Sequence, residues 1–171
     1  MLIMPDGYFG GVVLCHGISY QSRAIRLFTR SPFAHCGLRI SETEFESMEW
    51  PNKILKYSLE NPPEQYLEYI IQEPIEISAS QRRALQILNE QIPKDYDVSL
   101  ILRLAKRHLL KKKPDLTDIS KKDVYACSYR HALLFEMIGI EVIQGVHPSQ
   151  IEPQHFLESK NFRTIRKWKR D

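Results

Sequence analysis

Apolar residues along this chain recur in two rhythms, short runs suited to strands and longer stripes at helical spacing, and together these predict the elements. Gly11 to His16, GVVLCH, is a β-branched run after a Gly-rich turn and predicts a strand. Ser19 to Arg30 carries Ile25 and Phe28 at helical spacing, with Ser19 or Ser22 as cap. That helix ends near Ser31-Pro32, since proline disfavours helix in the residue before it. Ala34 to Ile40 predicts a second strand and Phe45 to Trp50 its hairpin return. Ile54 to Leu59 and Tyr66 to Gln72 predict two more, divided by Asn61-Pro62-Pro63.

Helical spacing dominates the second half. Ser80 caps a helix over Gln81 to Gln91 with Ala84, Leu85 and Leu88 inward, and Pro93 ends it. Asp97 to Lys112 predicts a longer helix with a core stripe of Leu100, Ile101, Leu104 and Leu109. A polar connection, Asp115 to Lys122, leads into VYACSYRHALLFEMIGI, Val124 to Ile140, which reads as a strand end entering a helix. Leu134 and Ile138 continue the face that Cys127 begins, and Gly139 stands where a helix stops. Val142 to Gln144 predicts one more short strand, Pro153 opens a brief helix through Leu157, and Arg163 to Arg170 reads as a charged tail. The fold class expected is α+β, an antiparallel sheet of four to six strands packed against the cysteine-bearing helix.

At 171 residues the chain fits one domain over 1–171, long enough for a sizeable core. Its 24 basic and 21 acidic residues leave a charge of only +3, much of it at Lys111 to Lys113 and in the tail. Solvated faces account for these patches, so no nucleic-acid partner is expected, while peripheral membrane contact stays open. Three cysteines, Cys15, Cys36 and Cys127, cannot all pair and have no zinc or disulfide spacing; a reducing, cytoplasmic setting fits, with no metal or cofactor. The opening MLIMPDGYFGG has no basic lead and no sustained apolar run, and no stretch is long enough to span a membrane.

Candidate chemistry gathers at Cys127. A sulfur in the first turn of a helix meets exposed N–H groups and the positive end of the macrodipole, which favour thiolate over thiol. A thiol nucleophile also needs a base. His35, carried on the second strand, supplies one, and a third polar group would fix its ring. With Glu42 and Thr43 as the hairpin turn, Arg39 lies opposite Glu46, and Glu46 shares the face of His35. A one-residue bulge brings Ser47 there instead, so the third position stays open among Glu46, Ser47 and Glu49. Gly37, two residues after His35, removes bulk from that face for something to approach closely. His131 shares a helix face with Cys127 but would leave little room for a substrate between them. His147 and His155 belong to loops or a surface, and His108 to a solvated helix end.

The residues Cys127-Ser128 with Gly139-Ile140 at the same offset resemble the CSxL helix of NlpC-type cell-wall peptidases, and SPFAHCGLRI resembles their histidine strand. Here His35 precedes Cys127, the reverse of the NlpC order. That order is similar to the circularly permuted papain-like group named after YiiX and YaeF, a distant relative of lecithin retinol acyltransferase. The opening Gly11 to Ile40 and the ending VHPSQIEPQHFLESKNFRTI agree with that group, whereas 52–122 carries no distinctive match. Tyr129-Arg130 depart from the usual Glu-Leu after Cys-Ser, and Cys36 replaces an aliphatic beside the histidine.

The resemblance implies a permuted papain-like fold with Cys127 as nucleophile, His35 as base and Glu46 as the best match to the third position. The activity expected is a cysteine hydrolase, an amidase, peptidase or esterase working through an acyl-enzyme on a peptide or acyl-lipid substrate. A lipid acyltransferase and a catalytically silent binding module of the same fold are the alternatives.

Overall fold

The computed structural model describes residues 9–29, 31–49, 53–92, 95–96, 124–125 and 127–170. Its strands are β1 (Gly11–Gly17), β2 (His35–Arg39), β3 (Glu44–Glu49), β4 (Lys53–Ser58), β5 (Tyr66–Pro74), β6 (Asp95–Tyr96), β7 (Val124–Tyr125) and β8 (Phe162–Lys169). Its α-helices are α1 (Tyr20–Thr29), α2 (Ala79–Gln91), α3 (Cys127–Met137) and α4 (His155–Glu158). Six strands form one sheet in the order β4-β3-β2-β1-β5-β8, antiparallel at every pairing, while β6 and β7 make a separate parallel pair. The predicted helix Asp97 to Lys112, His108 and the lysine run lie outside the described residues. No helix among those described is long and apolar enough to cross a membrane.

Alternation along β1 explains the two-sided core. Val12 and Leu14 face α2 and α3 together with Cys36, Leu38, Ile70, Leu85, Leu134 and Phe135. Val13 and Cys15 face the other way, into a smaller cluster with Phe45, Tyr66, Tyr69 and Ile71. A central strand covered on both faces reads as a continuous apolar run, which is what GVVLC is.

Local chemistry sets the helix ends. Ser19 Oγ accepts the Ser22 N–H and caps α1. Ser78, two residues ahead of the expected Ser80, caps α2 in a capping box: its hydroxyl accepts the Gln81 N–H while Gln81 Oε1 accepts the Ser78 N–H. Helix α3 closes with Gly139 at φ +84, the Gly139 N–H donating to Glu136 O and the Ile140 N–H to Phe135 O. Those two bonds are a Schellman closure with Ile140 buried behind it.

Two expectations are corrected. Val142 to Gln144 forms a turn, with the Val146 N–H bonded to Ile143 O and the Gly145 N–H to the Glu141 side chain. Arg163 to Arg170 is no tail but most of β8, laid against β5. An edge strand needs few inward side chains, and here Phe162 is buried and Trp168 half-buried while the basic residues between face water. Charge on an edge discourages further strand pairing.

Candidate active site

Cys127 is the first residue of α3, and α3 packs its first turn against β2. The hairpin opens the place where it sits. Strand β3 pairs β2 only at Arg39–Phe45, Leu38–Glu46 and Gly37–Ser47, so the ladder stops short of Cys36 although β3 runs on to Glu49. The Cys127 sulfur sits there beside Cys36 and His35, and both shift its ionisation. Cys127 is 5% exposed and His35 9%, so both work largely out of water.

These contacts decide the ionisation. The Cys36 thiol beside it holds Cys127 well below the ordinary thiol range; burial opposes this, and the His35 charge and hydrogen bond reinforce it. Burial alone would lower His35, but the charge and hydrogen bond of Cys127, with the charge of Glu49, raise it to about 9. The opposed shifts favour a thiolate–imidazolium pair over a neutral one. Cys36 and Cys15 are both pushed up by burial and remain thiols.

Behind the imidazole stands a polar relay. His35 Nε2 lies 2.5 Å from Ser47 Oγ and 3.7 Å from Glu49 Oε1, and Ser47 Oγ donates to Glu49 Oε1 at 2.7 Å. Tyr66 stacks beside the ring at 6.5 Å between centroids and donates its hydroxyl to the same Glu49 oxygen at 2.8 Å. Burial keeps that phenol protonated, helped by the charge and hydrogen bond of Glu49. An ionised carboxylate only accepts, so the Ser47 hydrogen goes to Glu49 and Ser47 must accept from His35 Nε2–H. Nδ1 is the nitrogen left for the sulfur.

Glu46 is elsewhere. The observed register sets Arg39 opposite Phe45 rather than Glu46, one residue from the simple hairpin, and in a strand that slip moves every side chain to the other face. Glu46 accepts from Asn89 Nδ2 at 2.9 Å, and Arg130 donates to Asn89 Oδ1 at 2.8 Å and to Asn89 O at 2.9 Å. It belongs to a clasp joining β3, α2 and α3. Of the three open third-position residues, the structure brings Ser47 to the ring and Glu49 behind it. Tyr66 and the Cys36 contact were missed; Tyr66 lies at the start of its predicted strand with no local mark of chemistry.

The other histidines sit apart from the sulfur's bonds. His131 is buried with Nδ1 3.4 Å from Cys36 Sγ, and burial, then the charges of Arg130 and His35, hold it well below its usual value, hence neutral. His16 pairs with Arg26. His147 caps the 3-10 turn Pro148–Gln150 and meets the Tyr129 ring, and His155 Nδ1 accepts from the Glu152 N–H.

Comparison with solved structures matches the metalloprotein YiiX from Escherichia coli O157:H7, a DUF1105 protein, with a TM-score of 0.64 over 97% of this chain and 100% of that one. This chain has a YiiX-like fold. Sequence identity across the match is 16%, so the likeness speaks for architecture alone. No family model and no curated protein matches the sequence. Within the YiiX-like fold the six-stranded antiparallel sheet and its packed helices are the features that position Cys127 and His35.

Proposed function

We propose that this protein is a cysteine hydrolase of permuted papain-like type, cleaving an amide or ester through an acyl-enzyme. The observation that carries the reading is a buried Cys127 at the first turn of α3 beside a buried His35 whose ring is held by Ser47 and Glu49, with the opposed shifts the two groups give each other. A thiolate already formed needs no separate deprotonation before it attacks a carbonyl carbon. Backbone N–H groups at the start of α3 suit the oxyanion that develops. The imidazolium then gives its proton to the departing amine or alcohol, and as neutral base takes one from the water that releases the acyl group. Ser47 and Glu49 act as positioning residues, holding the ring with Nδ1 toward the sulfur.

The word metalloprotein belongs to YiiX. In this chain no group of three or more His, Cys, Asp or Glu among the described residues is placed to hold a metal ion, and the donors nearest Cys127 are bonded to one another. No step is routed through a metal.

The test is alkylation by iodoacetamide across pH, with adducts mapped to each cysteine, alongside turnover of p-nitrophenyl acetate. Cys127 should react fastest near neutral pH, and its rate should level off where an ordinary thiol of pKa about 8.5 is still climbing. His35→Ala should slow ester turnover by roughly 100-fold or more. Labelling of Cys127 no faster than Cys15 or Cys36 would leave a binding module of this fold as the better account. Faster release of product on adding an alcohol or amine would identify acyl transfer rather than hydrolysis.

A further inference from the structure

Cys36 helps set the ionisation of Cys127, but no hydrolytic step uses the chemistry of its own sulfur. Adjacent strand residues face opposite ways, so His35 turns toward Ser47 and Tyr66 while the Cys36 side chain enters the core that faces the helices. There it meets the start of α3. Its sulfur lies 3.4 Å from Nδ1 of His131, one turn after Cys127 on the same helix, in the same buried cluster as Cys127, and near enough to the Cys127 sulfur for each to shift the other's ionisation. Two neighbouring thiols on either side of the seam between β2 and α3, one of them the reactive member, are the starting arrangement for a disulfide. Cys15 offers no such route, because it faces the opposite cluster with its thiol directed at Val13 O.

We infer that Cys36 is a resolving thiol, and that peroxide converts the site reversibly into a Cys36–Cys127 disulfide. The proposal rests on Cys127 being the reactive thiolate of the hydrolase reading. The Cys127 sulfur attacks one oxygen of hydrogen peroxide and the O–O bond breaks. Hydroxide leaves and takes the His35 proton as water, giving a sulfenic acid. The Cys36 sulfur then attacks the sulfenic sulfur as its proton passes to neutral His131. The S–O bond breaks, and the departing hydroxide collects that proton as a second water. Two thiols and one peroxide thus become one disulfide and two waters, the sulfurs oxidised and the peroxide reduced. Peroxide is close to water in size, so it reaches a sulfur that bulkier oxidants do not. A small-molecule dithiol reverses the change by exchange at the disulfide.

The experiment exposes the reduced full-length protein to hydrogen peroxide and follows intact mass, peptide linkage and p-nitrophenyl acetate turnover. Wild type should lose two hydrogen atoms in mass, yield a joined pair of Cys36 and Cys127 peptides with Cys15 free, and lose turnover that dithiothreitol restores. Cys36→Ala should pass to sulfinic and sulfonic acids at Cys127, which dithiothreitol does not reverse. Irreversible oxidation of wild-type Cys127 with no joined peptide, or a disulfide involving Cys15, overturns the inference. Wild-type mapping alone decides this even where Cys36→Ala folds poorly. The unoxidised protein's alkylation rate separates the two failures: a slow Cys127 defeats the hydrolase reading, whereas a fast one without the disulfide defeats only the resolving role.

Discussion

The hydroxyl hydrogen of Ser47 determines which nitrogen of His35 serves the sulfur, because Glu49 can only accept it. Ser47→Ala removes the acceptor for Nε2–H inside a buried site and frees the ring to turn. Ester turnover should fall by about 100-fold, the scale of a small misplacement of reacting groups. Glu49→Gln keeps the shape and removes a charge that raises His35. His35 is protonated below about 9 and loses its proton as pH rises through that value, so turnover needing the imidazolium should decline on that alkaline side. With Glu49 neutralised the decline should begin at lower pH, by roughly one unit. On the acid limb His35 stays protonated in both proteins, so that limb of Cys127 alkylation should not move upward. A profile of unchanged shape and position in Glu49→Gln would show that the carboxylate is only packing.

The β2–β3 hairpin shows where legibility stops. Both strands, the histidine and the need for a small residue at Gly37 follow from period-two alternation. The register does not, since one residue added at the turn exchanges Glu46 for Ser47 and only the folded loop fixes it. At Ile40 to Glu44 the N–H groups of Ile40 and Ser41 both reach Glu44 O, which sets the slip. Gly37 is where that hairpin is tested. A Cβ there would stand 2.6 Å from Glu46 O and 2.6 Å from the Phe45 ring, and the first of these is backbone that cannot turn aside. Gly37→Ala should cost about 2–3 kcal/mol in chemical denaturation and slow Cys127 alkylation as well, because parting β3 from β2 moves Ser47 away from His35. Gly139 makes the contrast at the far end of α3. It has open space around it but a positive φ, so Gly139→Ala should cost about 1 kcal/mol and leave alkylation unchanged.

Across the whole molecule, the helix side of the sheet supports Cys127 and β3 while Tyr66 of the opposite cluster backs His35, and β8 holds the far edge. Sequence pattern recovered the central strands and all four described helices, three of them from a strong period and the brief α4 from the proline that precedes it. It missed β8 because an edge strand under water keeps so few apolar positions that its basic residues dominate the pattern. The two sides give separable predictions. Asn89 is buried between Glu46 and Arg130, so Asn89→Ala strips hydrogen bonds from charged partners on β3 and α3 at once. It should destabilise by about 3 kcal/mol and also slow Cys127 alkylation, since α3 and β3 carry Cys127 and Ser47. Trp168 stacks on Tyr69 at 5.3 Å in the cluster away from α3, and Trp168→Ala should cost about 2 kcal/mol while the alkylation rate holds. With no shared partner, the two losses should add within about 0.5 kcal/mol in the double variant. A slowed Cys127 in Trp168→Ala would mean that strain at the β8 edge crosses β5 and β1 to the site, and the independence of that edge from the site would fail.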